Sequence, residues 1–126
     1  MTDAEVPAFL PLPHLSYYVL LALASEPLHG WAIIKRIREM AGPRAAPSSG
    51  SLYLAMVRLE DRGLLEEAEA PADASDDERR RYYRMTKLGR AVLRAETARL
   101  AALVDIARRE HGLDVATGGR VRPARS

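Results

Sequence analysis

Residues 28–65 read LHGWAIIKRIREMAGPRAAPSSGSLYLAMVRLEDRGLL, and this stretch decides the fold. Its first half places Trp31, Ile33, Ile34, Ile37 and Met40 among Lys35, Arg36, Arg38 and Glu39. That is the spacing of an amphipathic helix, with an apolar stripe and a charged face. Gly42-Pro43 stops it, because glycine relaxes the backbone and proline cannot continue a helix. A second helix begins at Pro47-Ser48. Ser48 or Ser49 can cap it by accepting an amide hydrogen bond from the first turn. Leu52, Met56 and Leu59 then recur at helical spacing with Tyr53 alongside, and Gly63 stands where a left-handed C-terminal residue is common.

Working outward, Leu15 to Ser25 is apolar nearly all round and predicts a buried helix that stops at Ser25-Glu26-Pro27. Residues 1–13 carry Pro7, Pro11 and Pro13, which predicts an extended arm. Downstream, Leu64 to Ala70 and Arg80 to Met85 are two short strand-like runs around a polar loop, the pattern of a two-stranded hairpin, or wing. Of the two adjacent tyrosines there, Tyr83 is expected on the core side. From Thr86 to about Arg109 the chain returns to helical periodicity. Thr86 is the expected cap, and Leu88, Val92, Ala95, Leu100, Leu103 and Ile106 trace the apolar stripe. A rod of roughly 24 residues is roughly 36 Å long at ~1.5 Å per residue. A small three-helix domain cannot cover that length, so the stripe is expected to serve dimerisation.

The layout is therefore an arm over 1–13, a mainly α winged helix-turn-helix domain over 14–85 and a long dimerisation helix over 86–112. A disordered tail is expected over 113–126. With 126 residues and 48% hydrophobic composition, one modest core is what the chain can build. It has no cysteine, which excludes disulfides and thiol chemistry. The apolar run Val19–Ala24 falls far short of the ~20 residues of a membrane span. Asp3 and Glu5 stand where a secretory signal would be basic, so a cytoplasmic protein is expected.

The net charge of +2 says little, but its distribution says more. Glu66 to Glu78 holds seven acids and no base, and Arg79, Arg80, Arg81 and Arg84 follow within six residues. Such segregation predicts an edge that meets polyanions beside an acidic loop.

Four segments in collinear order resemble the PadR-like transcriptional regulators: His29-Gly30-Trp31, Gly50-Ser51-Leu52-Tyr53, Leu59 to Leu65, and Arg80-Arg81-Tyr82-Tyr83-Arg84-Met85-Thr86-Lys87-Leu88-Gly89. Together they cover about residues 15–93. The resemblance implies a homodimeric repressor of double-stranded promoter DNA, released by a small aromatic or other planar effector. Some relatives sandwich such a molecule with an aromatic residue on the last helix. This helix has none between Thr86 and Leu113.

Under that resemblance, the helix entering the major groove starts with Ser48, Ser49, Gly50, Ser51 and Tyr53. Its hydroxyls can meet phosphate or base edges, and Gly50 would let the backbone approach closely. Lys35 and Arg58 on neighbouring surfaces, and Arg79, Arg80 and Arg81 on the wing, are the cationic candidates. Two readings of Tyr53 stay open, DNA contact or core packing, whereas Trp31 is expected to close the core. The alternative for the whole chain is a winged-helix module that binds a protein partner. Nothing points to an enzyme or a cofactor: there is no nucleophile elbow, no phosphate-binding loop, and His14, His29 and His111 lack metal-ligand spacing.

Overall fold

Local chemistry marks most of the element boundaries. A computed structural model describes residues 3–73 and 81–113. The order is a 3-10 turn (Asp3–Phe9), α1 (His14–Ala22), β1 (Leu28–His29), α2 (Gly30–Ala41), a second 3-10 turn (Pro43–Ala45), α3 (Ser49–Asp61), β2 (Leu65–Ala68), β3 (Tyr82–Met85) and α4 (Lys87–His111). The His29 ring opens α2 by accepting the Ala32 amide at Nδ1, 3.2 Å away. Ser48 opens α3 by accepting the Ser51 amide at 3.1 Å, and Thr86 opens α4 by accepting the Gly89 amide at 3.0 Å. Each cap satisfies an amide that has no partner within the helix.

The helices enclose one core. Val19 and Leu20 of α1, Ile33 and Ile37 of α2, Leu52, Met56 and Leu59 of α3, and Val92 and Leu93 of α4 meet there with Leu64 and Leu65. The sheet is antiparallel in the order β1-β3-β2, so the two-stranded wing gains a short third strand. Leu28 and His29 lie opposite Tyr83 and Tyr82, while Leu65 lies opposite Met85. Tyr82 is the buried member of the tyrosine pair and Tyr83 is half-buried, the reverse of the expected assignment. The strands alternate as expected, but the register puts Tyr82 against His29, whose ring meets it edge-on at 5.3 Å.

The joint between wing and last helix is tightly specified. Gly63 has φ of 79°, a conformation that costs a side-chain-bearing residue dearly. Its carbonyl accepts from the Thr86 hydroxyl at 2.6 Å, and the Leu64 carbonyl accepts from the Thr86 amide at 3.1 Å. A Cβ on Gly89 would sit 2.2 Å from the Leu64 oxygen, so only glycine lets α4 approach this closely.

The N-terminal segment is not the extended arm expected from its prolines. It forms a 3-10 turn with Pro7 inside, and Val6, Phe9 and Leu12 are buried. Proline's fixed φ suits a short 3-10 turn, and apolar burial supplies the reason to form it. The Glu96 carboxylate of α4 holds the end of this segment by accepting the Leu12 amide at 2.8 Å. Glu96 is 1% exposed, and both its oxygens also accept hydrogen bonds from Arg99. Arg62 lies over the Phe9 ring at 4.3 Å from the other side.

Along α4 the predicted stripe divides. Val92 is 0% exposed, and Leu88 and Ala95 pack against the domain's own core, so these three side chains face inward rather than towards a partner. Residues 101–106 are all exposed, Leu103 and Ile106 among them, and Leu100 is half-buried. The helix is longer than its domain, so only its first half finds an internal surface. The tail expected beyond residue 113 and the acidic tip over 74–78 lie outside the described residues.

Candidate nucleic-acid interface

The α3 positions Leu52, Ala55, Met56 and Leu59 face the core. Helical geometry then turns Gly50, Leu54 and Val57 outward, with Ser49 and Tyr53 on one flank and Ser51 and Arg58 on the other. Ser48, Ser49, Gly50, Ser51, Tyr53 and Arg58 are all exposed. Tyr53 is 66% exposed, which removes the core-packing alternative. Ser48 shapes the turn itself, since its hydroxyl takes the Ser51 amide and donates to the Ser51 hydroxyl at 3.0 Å. Gly50 has no such role within this chain. Its φ is not positive, and a Cβ there would meet nothing within 4 Å among the described residues. Glycine weakens a helix by roughly 1 kcal/mol relative to alanine, so its presence in an open first turn has no internal compensation.

Trp31 departs from expectation. It is 60% exposed rather than core-closing. Ile33 and Ile37 define the inward face of α2, and Trp31 lies about 200° around the helix from Ile33. The indole stacks near the His29 ring, 6.4 Å between centroids, and Lys35 places its ammonium 5.6 Å from the indole centroid. Such a contact holds the lysine over a flat surface while leaving its charge exposed.

Trp31 and Ile34 of α2, Ser49, Leu52, Tyr53 and Met56 of α3, and Arg81 and Tyr83 at the wing border one cleft of ≈ 320 Å³. Lys35, the first turns of α3 and Arg81 thus belong to one contiguous region. Arg58 lies elsewhere, beside a second cleft of ≈ 300 Å³ with Leu12, Pro13, Ser16, Asp61 and Arg62. Arg79 and Arg80 lie outside the described residues.

The wing's charges are not segregated as the sequence order suggests. Glu66 and Glu67 stand on β2, directly across from the basic strand. Arg84 pairs with Glu66 at 3.3 Å and Arg81 with Glu67 at 3.2 Å. A hydrogen bond with Tyr83, reinforced by the Glu67 carboxylate, raises the pKa of Arg81 further above its ordinary value and keeps it cationic. These are exposed pairs, which exchange readily for other anions. Sequence periodicity alone missed Trp31, Leu54 and Tyr83 as parts of this surface. Only the angular offset of Trp31 from Ile33 could have signalled the first of them.

No helix among the described residues is long and apolar enough to cross a membrane. The Transcriptional regulator PadR-like family model matches residues 19–95. The chain is 40% identical over 85 residues to an uncharacterized 37.1 kDa protein in transposon TN4556 of Streptomyces fradiae. That match takes in 68% of this chain and 22% of the longer relative. Among solved structures, a PadR family regulator from Eggerthella lenta is 30% identical, with a TM-score of 0.57 over 86% of this chain and 93% of the other. One from Clostridium difficile, 21% identical, superposes with a TM-score of 0.66 over 78% of this chain and 98% of the other. With the winged fold and the collinear match in hand, the chain belongs to the PadR-like family of transcriptional regulators.

Proposed function

We propose that the chain is a homodimeric repressor that binds a near-palindromic promoter site and is released by a small molecule. The observation that carries this reading is the exposed start of α3, where Ser48, Ser49, Ser51 and Tyr53 present hydroxyls around Gly50. Lys35 and Arg81 border the same region. Ser49, Gly50, Ser51 and Tyr53 would enter the major groove, with Ser48 holding the turn in shape. Lys35 and Arg81, with Arg79 and Arg80, would meet phosphates. Arg58 would contact the backbone only if the DNA curves towards the second cleft.

Leu100, Leu103, Val104 and Ala107 recur at helical spacing beyond the domain's edge, and Ile106 lies beside them. Pairing this half of α4 with a second copy would cover apolar surface, Leu103, Val104 and Ile106 above all, that is exposed among the described residues. A two-fold arrangement would set two α3 helices about 34–36 Å apart, one turn of DNA. The cleft walled by Trp31, Tyr53 and Tyr83 has the size for a small planar effector. Because Ser49 and Tyr53 border it, an occupant there would compete with DNA.

The test is a gel shift against the chain's own upstream DNA across a salt series. With about eight phosphates neutralised by a dimer, log K should fall with log salt at a slope near about −7. Binding indifferent to sequence at physiological salt, with competitor DNA present, would rule the reading out. One observation favours a protein partner instead: Arg81 and Arg84 of the wing are already met by Glu67 and Glu66. If Arg81→Ala disturbs a protein complex and leaves DNA affinity alone, that second reading wins.

A further inference from the structure

The outward face of α3 is apolar at the position where a DNA reader most often carries a charge or a carboxamide. Leu54 is 56% exposed and points about 200° away from Leu52, which is buried in the core. It sits one turn beyond Gly50, whose open side would let the helix backbone come close to a partner. From Ala45 to Val57 there is no Arg, Lys, Asp, Glu, Asn or Gln, and the whole chain contains neither asparagine nor glutamine. The bidentate carboxamide contact that identifies adenine is therefore unavailable from any side chain of these 126 residues. The bidentate guanidinium contact that identifies guanine is unavailable from the first two turns of α3. Hydroxyls from Ser49, Ser51 and Tyr53 can accept or donate at almost any base edge and discriminate weakly. The one apolar feature in the major groove is the 5-methyl group of thymine.

We propose that Leu54 is a specificity-determining residue that reads a thymine methyl group, so that each half-site is defined by thymine rather than by guanine beneath the first turns of α3. The inference rests on the DNA-binding reading above. Lys35 and Arg81, both exposed, border the Ser49 and Tyr53 flank of α3 beside this face, and the positive charge there favours a polyanion over an apolar protein.

The experiment uses the full chain and a site selected from random DNA. Each thymine of a half-site is replaced in turn by deoxyuridine, which lacks only the 5-methyl group. At one or two positions the wild-type affinity should fall about fourfold, the worth of one buried methyl group. Leu54→Ala, which removes an exposed side chain and should fold normally by circular dichroism, should bind thymine and deoxyuridine at those positions equally. Two results overturn the proposal: indifference to deoxyuridine at every position, or full methyl discrimination retained by Leu54→Ala. A change in assembly state by Leu54→Ala with no change at DNA also overturns it, since the face would then serve a protein contact. If selection yields no preferred sequence, the DNA-binding reading falls first and the proposal falls with it.

Discussion

The joint that ties the wing to α4 and the first turn of α3 both contain a glycine in or beside the first turn of a helix, and the two glycines have opposite explanations. Around Gly89 every feature is accounted for inside the molecule. The Leu64 carbonyl occupies the space a side chain would need, Thr86 caps the helix, and Gly63 takes the left-handed turn that brings the strand into place. At Gly50 no described residue accounts for the glycine. The space is open, the backbone is ordinary and the neighbouring hydroxyls face outward. Residues whose identity the folded chain explains are fixed by packing. Residues it leaves unexplained point to what the chain meets.

Substitutions at both kinds of position test this contrast, and the largest effect is expected at Gly89. A methyl group there must displace backbone rather than a flexible side chain. Gly89→Ala should lower stability by about 3 kcal/mol, read as a fall in the melting temperature, with DNA binding lost only as the folded fraction falls.

Next comes the anchor of the N-terminal segment. The Arg99 hydrogen bond, helped by the Leu12 amide and opposed by burial, holds the Glu96 carboxyl below its ordinary 4.5. A carboxyl with a depressed folded pKa stabilises the fold above its unfolded pKa, and that contribution disappears as pH falls through the folded value. Glu96→Gln should therefore cost about 2 kcal/mol near neutrality. The gap between its melting temperature and that of the wild type should close as pH drops from about 6 to about 3. A gap that stays constant over that range would show that the charge does not matter.

Ser48→Ala should cost about 1 kcal/mol by leaving the Ser51 amide uncapped, measurable by urea unfolding. The smallest effect, and opposite in sign, is expected at the other glycine: Gly50→Ala should raise stability by roughly 0.5–1 kcal/mol in the same assay.

The same contrast explains how much was legible in the sequence. Caps and breakers are local, so Ser48, Thr86 and Gly63 marked their helix boundaries, and periodicity found Ile33 and Ile37 of α2 and Leu52, Met56 and Leu59 of α3, although Met40, read with the α2 stripe, is exposed. What periodicity cannot supply is tertiary context. The prolines of the N-terminal segment signalled an interrupted helix, but not that Val6, Phe9 and Leu12 would find a surface on which to be buried. Trp31 has the bulk of a core residue and lies on the wrong side of α2 to be one. Glu66 and Glu67 fell on the first expected strand, but only the antiparallel register sets them opposite Arg84 and Tyr83. The stripe of α4 was found without Leu93 and Val104, and where it passes from the domain's own core to open surface depends on the size of that core. The surface proposed for DNA was named from the sequence as Ser48 to Tyr53, and the structure leaves Ser48, Ser49, Gly50, Ser51 and Tyr53 exposed. The apolar centre of that surface at Leu54 was not named, because an exposed leucine means little until its neighbours are known.

Whether the first turn of α3 meets DNA is tested most directly by the DNA affinity of Gly50→Leu beside its thermal melt. Leucine is a good helix former and has open space at this position, so the variant should melt at or above the wild-type temperature. If the first turn of α3 lies against DNA, the added side chain must weaken specific binding by at least about tenfold, or about 1.4 kcal/mol. A variant equally stable and equally tight on DNA would show that this turn does not face the double helix.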